Sequence, residues 1–235
     1  MKYTIHILRR ARGEAKGHMV SFFYEGQPQD TVAKVLESLN RTPGLTDTEG
    51  NLQPPIEWEC SCLQKKCGSC AMVINGRPCL ACGALLSGAK NGEMTLEPLR
   101  KFPVVADLVS DRSILYENLK TLKLWLPADA GLADRDRELA YEGSECLMCG
   151  CCLEVCPNFY AGGNFFGMAA VPLTARLLCE LKPEEAKELR KRYLDYVYEG
   201  CGKSLACRGI CPKGLDTEKL LVNTNAMALW KRKRG

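Results

Sequence analysis

Apolar and polar positions alternate from the start of the chain. Tyr3, Ile5 and Ile7 are separated by Thr4 and His6, which predicts a strand with one buried face. His18 to Tyr24 is a second strand, and the link from Gly13 to Gly17 closes the two into a hairpin. Asp30 is placed to N-cap a helix in which Val32, Val35, Leu36 and Leu39 follow the i, i+3, i+4, i+7 stripe. Cys70 to Ile74 is a strand stopped by Asn75-Gly76, a strong hairpin signal, and Met94 to Glu97 is a last strand. Pro98 and Pro103 then mark a change of period. From about residue 104 the pattern is helical, first in the stripe of Leu108, Ile114, Leu115, Leu119 and Leu122. Pro172–Leu181 and Pro183–Tyr198 are further helices that open on proline, where the missing N–H does no harm, and Asp216 to Trp230 is the last. The expected fold class is α+β, with a strand-rich domain over 1–103 and an all-α domain over 104–235. His6 and His18 fall in strands and are read as ordinary strand residues.

The cysteines change this picture most. There are 15 in 235 residues, and eleven fall into three runs. Cys62, Cys67, Cys70 and Cys82 open with the C-x4-C-x2-C spacing of a plant-type two-iron loop. Cys146, Cys149, Cys152 and Cys156, closed by Pro157, have the bacterial ferredoxin spacing. Cys201, Cys207 and Cys211, closed by Pro212, look like that run with one cysteine missing. Hairpin, helix, cysteine loop and hairpin, in that order, suit a β-grasp ferredoxin domain. Such a chain stores and passes single electrons.

Disulfides and zinc are the rival readings. Disulfide density belongs to secreted proteins, whereas KYTIHIL after Met1 alternates instead of forming an apolar leader. Arg9-Arg10 is followed by Glu14-Ala15-Lys16-Gly17, not by an apolar stretch. An odd cysteine count also fits complete pairing badly. Zinc favours two separated pairs of ligands, whereas the first run packs three cysteines around Gly68 and Ser69.

Apolar content of 46% suits a buried core, and nothing approaches about 18 consecutive apolar residues, so no membrane span is expected. A net charge of +4 argues against nucleic acid as a main partner. Lys231-Arg232-Lys233-Arg234 is a solvated tail or a contact for anionic headgroups. Gly202-Lys203-Ser204 imitates the end of a P-loop, but Val197 stands where the first glycine should be. No acid/base pair or nucleophile–base set stands out, and no catalytic residue is expected on this chain.

In two-cluster ferredoxins the fourth cysteine of each run ligates the other cluster. By that rule Cys146, Cys149, Cys152 and Cys211 hold a 4Fe–4S centre. Cys156, Cys201 and Cys207 hold the second, and the missing ligand position is Ser204. A hydroxyl binds iron poorly beside a thiolate, so a 3Fe–4S centre is expected there.

Four segments carry a wider resemblance: CLQKKCGSCAMVINGRPCLAC (62–82), TLEPLRKFPVVADLVSDRS (95–113), CLMCGCCLEVCPN (146–158) and CGKSLACRGICPKGLD (201–216). In this order the chain resembles the iron–sulfur subunit of succinate dehydrogenase/fumarate reductase. The resemblance implies a 2Fe–2S cluster on Cys62, Cys67, Cys70 and Cys82, and electron passage between the FAD of a flavoprotein partner and a quinone at a membrane subunit. The dicarboxylate site is then expected on the flavoprotein. The implied setting is the cytoplasmic side of the cell inner membrane, peripherally attached through a cytochrome b anchor. Better-known members of this family carry serine and tryptophans after the second run and a histidine after the first cysteine of the third. Here stand Asn158, Phe159, Tyr160 and Ala161, and then Gly202. These departures resemble the branch with two b haems that often uses menaquinone. Asn158, Tyr160 and Lys203 are the candidates for the quinone side.

Cys60, Cys79, Cys151 and Cys179 are left as non-ligands, Cys179 in the apolar helix around Leu177 and Leu181. Lys65 and Lys66 either form an exposed loop face or raise the potential of the two-iron centre by their charge. A thiol-linked fumarate or heterodisulfide-type reductase subunit, and a free-standing ferredoxin, are the other classes that such runs serve.

Overall fold

In the computed structural model, which describes residues 1–127 and 136–230, the chain divides into two units, Met1–Asp111 and the residues from Arg112 onward. The first is built on a five-stranded sheet. Strands β1 (Lys2–Arg9) and β2 (His18–Glu25) form the expected antiparallel hairpin, followed by α1 (Val32–Arg41). Strands β3 (Ala71–Ile74) and β4 (Arg77–Leu80) turn at Asn75 and Gly76, both with positive φ, and β5 (Glu93–Glu97) runs between β1 and β3. The order is β2-β1-β5-β3-β4, with β1 and β5 parallel and the other pairs antiparallel. Tyr3, Ile5 and Ile7 face inward, as does the stripe of α1.

Thr31, not Asp30, caps α1: its side chain accepts the Lys34 N–H at 3.2 Å. Asp30 is buried and accepts from the Tyr24 hydroxyl at 3.1 Å, the Gln27 N–H at 2.9 Å and Lys34 Nζ at 2.6 Å. Asp30 and Thr31 both suit a cap, and tertiary partners for Asp30 decide between them. His6 is a strand residue, 2.8 Å from the Ser21 hydroxyl.

The helical stripe expected from about 104 begins late. Residues 104–110 form a second small hairpin, β6 (Val104–Ala106) with β7 (Val109–Ser110), and Leu108 is buried in its turn. Asp107 makes that turn necessary. Its Oδ1 accepts the Arg10 N–H and its Oδ2 the Glu57 N–H, each at 2.8 Å. Arg9 Nε lies 3.0 Å from Oδ1 but off line, so this buried contact is Coulombic, while Arg9 Nη2 donates to the carbonyls of Pro54 and Pro55 at 3.1 Å each. Asn40 adds a reciprocal pair of bonds with the Ile56 backbone at 2.7 and 2.8 Å. Residues 54–57 are thus clamped just before the first cysteine loop.

The second unit contains α2 (Ser113–Leu122), α3 (Arg137–Ser144), the single turn α4 (Cys151–Glu154), α5 (Ala170–Glu180), α6 (Pro183–Tyr193) and α7 (Thr217–Leu229). Its core gathers Leu122, Val171, Ala175, Leu178, Leu189, Tyr193 and Leu220. Helices α3 and α5 approach closely at Gly143, where a Cβ would meet the Pro172 carbonyl oxygen at 2.4 Å. Helix α5 starts two residues before Pro172, and Cys179 is buried within it. Helix α6 opens on Pro183 as expected and runs on into a π-helical turn, Leu194–Tyr198. Arg192 Nε donates to the Leu122 carbonyl at 2.9 Å and Arg190 Nε to that of Met227 at 3.1 Å, which satisfies helix ends that have no partner of their own. No helix among the described residues is long and apolar enough to cross a membrane. The basic run 231–234 lies outside the described residues.

Removing one member of a buried ion pair leaves the other charge uncompensated, at a cost of about 3–5 kcal/mol. Asp107→Ala is therefore expected to lower the thermal midpoint of the purified protein sharply, whereas Glu49→Ala, at an exposed loop position, leaves it in place. Differential scanning calorimetry of the two variants checks this.

Candidate functional site

The first cysteine loop owes its shape to residues with positive φ. Leu63, Lys65 and Gly68 take φ of 54°, 59° and 77°, and the backbone curls around the sulfurs. The N–H groups of Gln64 and Lys66 each donate to Cys62 Sγ, and that of Lys65 to Cys82 Sγ, all at 3.3 Å. Cys82 reaches the loop from the end of β4, where the Ala81 N–H donates to the Cys70 carbonyl at 3.0 Å. Gly83 leaves room for Lys65, since a Cβ there would meet its Cδ at 2.7 Å. Electrostatics link the four thiols. Cys67 is drawn down to about 6, chiefly by a hydrogen bond with the Ser69 side chain and then by backbone groups and the Cys62 thiol. Burial drives Cys70 up to about 12, with Cys82 and Cys67 nearby adding to the rise. The Lys65 and Lys66 side chains are exposed, and it is their N–H groups that touch sulfur. Cys60 is exposed, and burial holds the Cys79 thiol at about 11.

Among the described residues of the helical unit, the cysteines of the second and third runs line two cavities, called the second and third cavities after those runs. Cys146, Cys149, Cys152 and Cys211 line one of about 30 Å³, walled otherwise by apolar groups such as Leu147, Met168, Pro172 and Leu215. Burial pushes Cys146 up to about 11 and Cys152 well above the usual thiol range. Cys149 is the exception, drawn down to about 7 chiefly by a hydrogen bond from the buried Cys151 side chain, with the Arg112 charge contributing less. The bend before α4 needs left-handed backbone at Met148 and Gly150, with φ of 51° and 86°.

The other cavity, also about 30 Å³, is lined by Cys156, Cys201 and Cys207, with Ser204, Asn158 and Lys203 on its wall and Phe165, Val171 and Leu221 behind. Lys203 and Leu205 turn the chain with φ of 54° and 55°. Gly200 is there for space, since a Cβ would meet the Phe165 ring at 2.4 Å, whereas one at 202 would meet only the movable end of Asn158, Nδ2, at 2.9 Å. Asn158 Nδ2 donates instead to the Gly200 carbonyl at 2.8 Å. Burial raises Cys207, and the Thr217 hydroxyl donates to its carbonyl at 3.2 Å.

Each of the two later runs therefore sends one cysteine to the other's cavity, Cys156 to the third and Cys211 to the second. Among the described residues no three His, Cys, Asp or Glu side chains close on one point as the ligands of a single ion would. The thiols stand around voids with more room than one water molecule needs, and the walls offer water few partners. That arrangement fits a cluster, whose irons and sulfides occupy the void and spread the ligands apart.

Of the residues expected near a quinone, Asn158 and Lys203 line the third cavity, whereas Tyr160 is exposed, with its ring against Gly163. Tyr198 carries no motif in the sequence. Lys203 Nζ sits 3.5 Å from its hydroxyl and 4.9 Å from its ring centroid. The π-helical turn makes that meeting, and a helical period does not foresee it.

Residues 4–117 match a family described as a 2Fe-2S iron-sulfur cluster binding domain. The chain is 34% identical over 231 residues to the succinate dehydrogenase iron-sulfur subunit of Bacillus subtilis (strain 168), covering 93% of this chain and 89% of that one. It is 30% identical over 221 residues to the fumarate reductase iron-sulfur subunit of Wolinella succinogenes, covering 88% of each. Among solved structures, a chain of the Mycobacterium smegmatis Sdh1 complex in the apo form superposes with a TM-score of 0.73 at 23% identity, over 100% of this chain and 98% of that one, a likeness of fold.

Ser69→Ala is expected to return the Cys67 thiol toward its ordinary range. A depressed pKa means more thiolate at neutral pH, so the cluster-free variant should be alkylated at Cys67 severalfold more slowly at pH 7, with the rate rising toward pH 9. Mass-spectrometric alkylation profiles read this directly, and identical profiles in both proteins would remove Ser69 as the cause.

Proposed function

The chain belongs to the iron–sulfur subunits of succinate dehydrogenase and fumarate reductase, and we propose that it passes electrons between the FAD of a flavoprotein subunit and a quinone at a membrane-anchor subunit. It serves as the electron-transfer subunit of that oxidoreductase. In this reading Cys62, Cys67, Cys70 and Cys82 hold a 2Fe–2S cluster, Cys146, Cys149, Cys152 and Cys211 a 4Fe–4S cluster, and Cys156, Cys201 and Cys207 a 3Fe–4S cluster. When bound, these clusters supply one-electron redox chemistry.

The protein's own part is holding, shielding and biasing. The apolar walls of the two helical cavities exclude water. The N–H groups of Gln64, Lys65 and Lys66 stabilise negative sulfur at the first loop. Ser204 stands on the wall of the third cavity where a fourth thiol would complete the set. The observation that carries the reading is the exchange of cysteines between runs, which yields one cavity with four thiols and one with three. A soluble carrier gains nothing from the additional helices, and relatives that match along most of the chain do not favour a thiol-linked reductase.

The finer reading follows from Gly202. The Asn158 amide occupies the space beside it and would have to move for a side chain at 202, and Lys203, which lines the same cavity, meets Tyr198. This supports a quinone site unlike that of histidine-bearing members, and with it the menaquinone branch with a di-haem cytochrome b anchor. This chain is then peripheral to the cell inner membrane on its cytoplasmic side, attached through that anchor.

An EPR-monitored redox titration of the purified complex with succinate tests the assignment. The wild type should show a 3Fe–4S signal when oxidised and a 2Fe–2S signal when reduced. Ser204→Cys supplies the missing thiol and should replace the three-iron signal with a second four-iron signal. A wild type without the three-iron signal would overturn the ligand count.

A further inference from the structure

Acidic residues line one face of α3. Glu138, Glu142 and Glu145 follow one another at helical spacing, and Glu145 is the C-cap that hands the chain on to Cys146. The lysines that answer them come from far along the chain. Lys213 lies two positions after Cys211, and Lys219 lies in the first turn of α7. Lys219 Nζ is 2.8 Å from Glu138 Oε1 and 3.2 Å from Glu142 Oε2, and Lys213 Nζ is 3.1 Å from Glu145 Oε2. The contacts differ in weight. The Glu138 side chain is 85% exposed, so water and salt screen its pair. Glu142 is 18% exposed, and Glu145 and Lys213 are 32% and 31% exposed, so these keep more of their attraction.

The Glu145–Lys213 pair joins the two cysteine runs. Each partner stands within two residues of a thiol that lines the second cavity, Cys146 on one side and Cys211 on the other. Lys213 sits inside a turn closed by the Gly214 N–H, which donates to the Cys211 carbonyl at 3.0 Å, so it moves with that cysteine. Cys146, Cys149 and Cys152 belong to one short loop. Cys211 arrives from a distant segment, and no short loop opposes its departure. Packing holds the helix bodies, as at Gly143 on Pro172. The ion pair acts beyond the helix end, where the chain leaves α3 for its first thiol. We propose that Glu142, Glu145, Lys213 and Lys219 form an ionic clasp, a set of positioning residues that keeps Cys211 with Cys146 and so sets how long the cluster of Cys146, Cys149, Cys152 and Cys211 is retained. This rests on the four-iron reading of that cavity.

The test is the loss of EPR signals when the purified complex is exposed to an iron chelator without oxygen. The chains compared are wild type, Glu145→Lys, Lys213→Glu, and the exchange Glu145→Lys with Lys213→Glu. Each single reversal sets like charges against each other, and the four-iron signal should disappear about threefold faster or more. The exchange restores the attraction and should return the rate most of the way to that of the wild type. The two-iron and three-iron signals should decline no faster in any of these chains. If the single reversals do not assemble, Glu145→Gln and Lys213→Gln must show the faster four-iron loss, and the exchange must still assemble. Unchanged four-iron loss in the single variants overturns the proposal. So does an exchange no better than the single reversals, or an equal acceleration at all three centres, which would mark a general loosening of the protein. A wild type with no four-iron signal overturns the ligand reading beneath it, a result distinct from an unchanged rate.

Discussion

Burying sulfur that must ionise is the constraint on which the rest of this structure depends. Burial, with neighbouring thiols adding to it, drives the Cys70 thiol to about 12, Cys146 to about 11 and Cys152 well above its ordinary range. As thiolates, these groups need positive charge close by, and the iron of the proposed clusters is the obvious source. The protein adds smaller contributions at particular sulfurs: three backbone N–H groups at the first loop, the Ser69 hydroxyl at Cys67, and the Cys151 thiol with the Arg112 guanidinium at Cys149. Apo protein would keep most of these thiols neutral, so loading the clusters releases protons and ties metal uptake to folding.

The scaffold is built to hold these groups still. Asn40, Arg9 and Asp107 clamp the backbone that leads into the first loop. In the helical unit the buried Tyr193 hydroxyl donates to Asn225 at 2.7 Å, and Tyr196 stacks on Phe166 with ring centroids 4.7 Å apart. Both lie at the passage from α6 into its π-helical turn, the segment that delivers Cys201. Such turns often mark functional sites, because the extra residue re-aims the side chains that follow. Here it brings Tyr198 under Lys203, a residue on the wall of the third cavity.

Local patterns made much of this legible. Alternation at Tyr3–Ile7, the stripe of α1 and the Asn75-Gly76 turn are signals read within a few residues, and each has its counterpart in the fold. The cysteine spacing, read with the ferredoxin rule of exchanged ligands, also grouped the thiols of the later runs as the two cavities group them. What stayed hidden depends on distant partners. Asp30 looked like a cap because its tertiary bonds to Tyr24 and Lys34 cannot be read locally. The 104–110 hairpin looked helical because its turn is held by Asp107 to Arg9, Arg10 and Glu57, far back in the chain. Helix α3 and the single turn α4 lack a strong stripe of their own, and they are held by packing on α5 and by the cysteine loop. The bond from Arg112 to the Cys149 carbonyl spans 37 residues and has no motif.

The exchange of cysteines between the two later runs is the claim on which the proposed assignment turns. Its most direct measurement is Mössbauer and EPR spectroscopy of Cys156→Ser and Cys211→Ser in the iron-57-enriched complex. The account predicts that Cys156→Ser perturbs the three-iron centre and spares the four-iron one, while Cys211→Ser does the reverse. If each substitution instead damages the cluster of its own run, the ligands are not exchanged and the account is wrong.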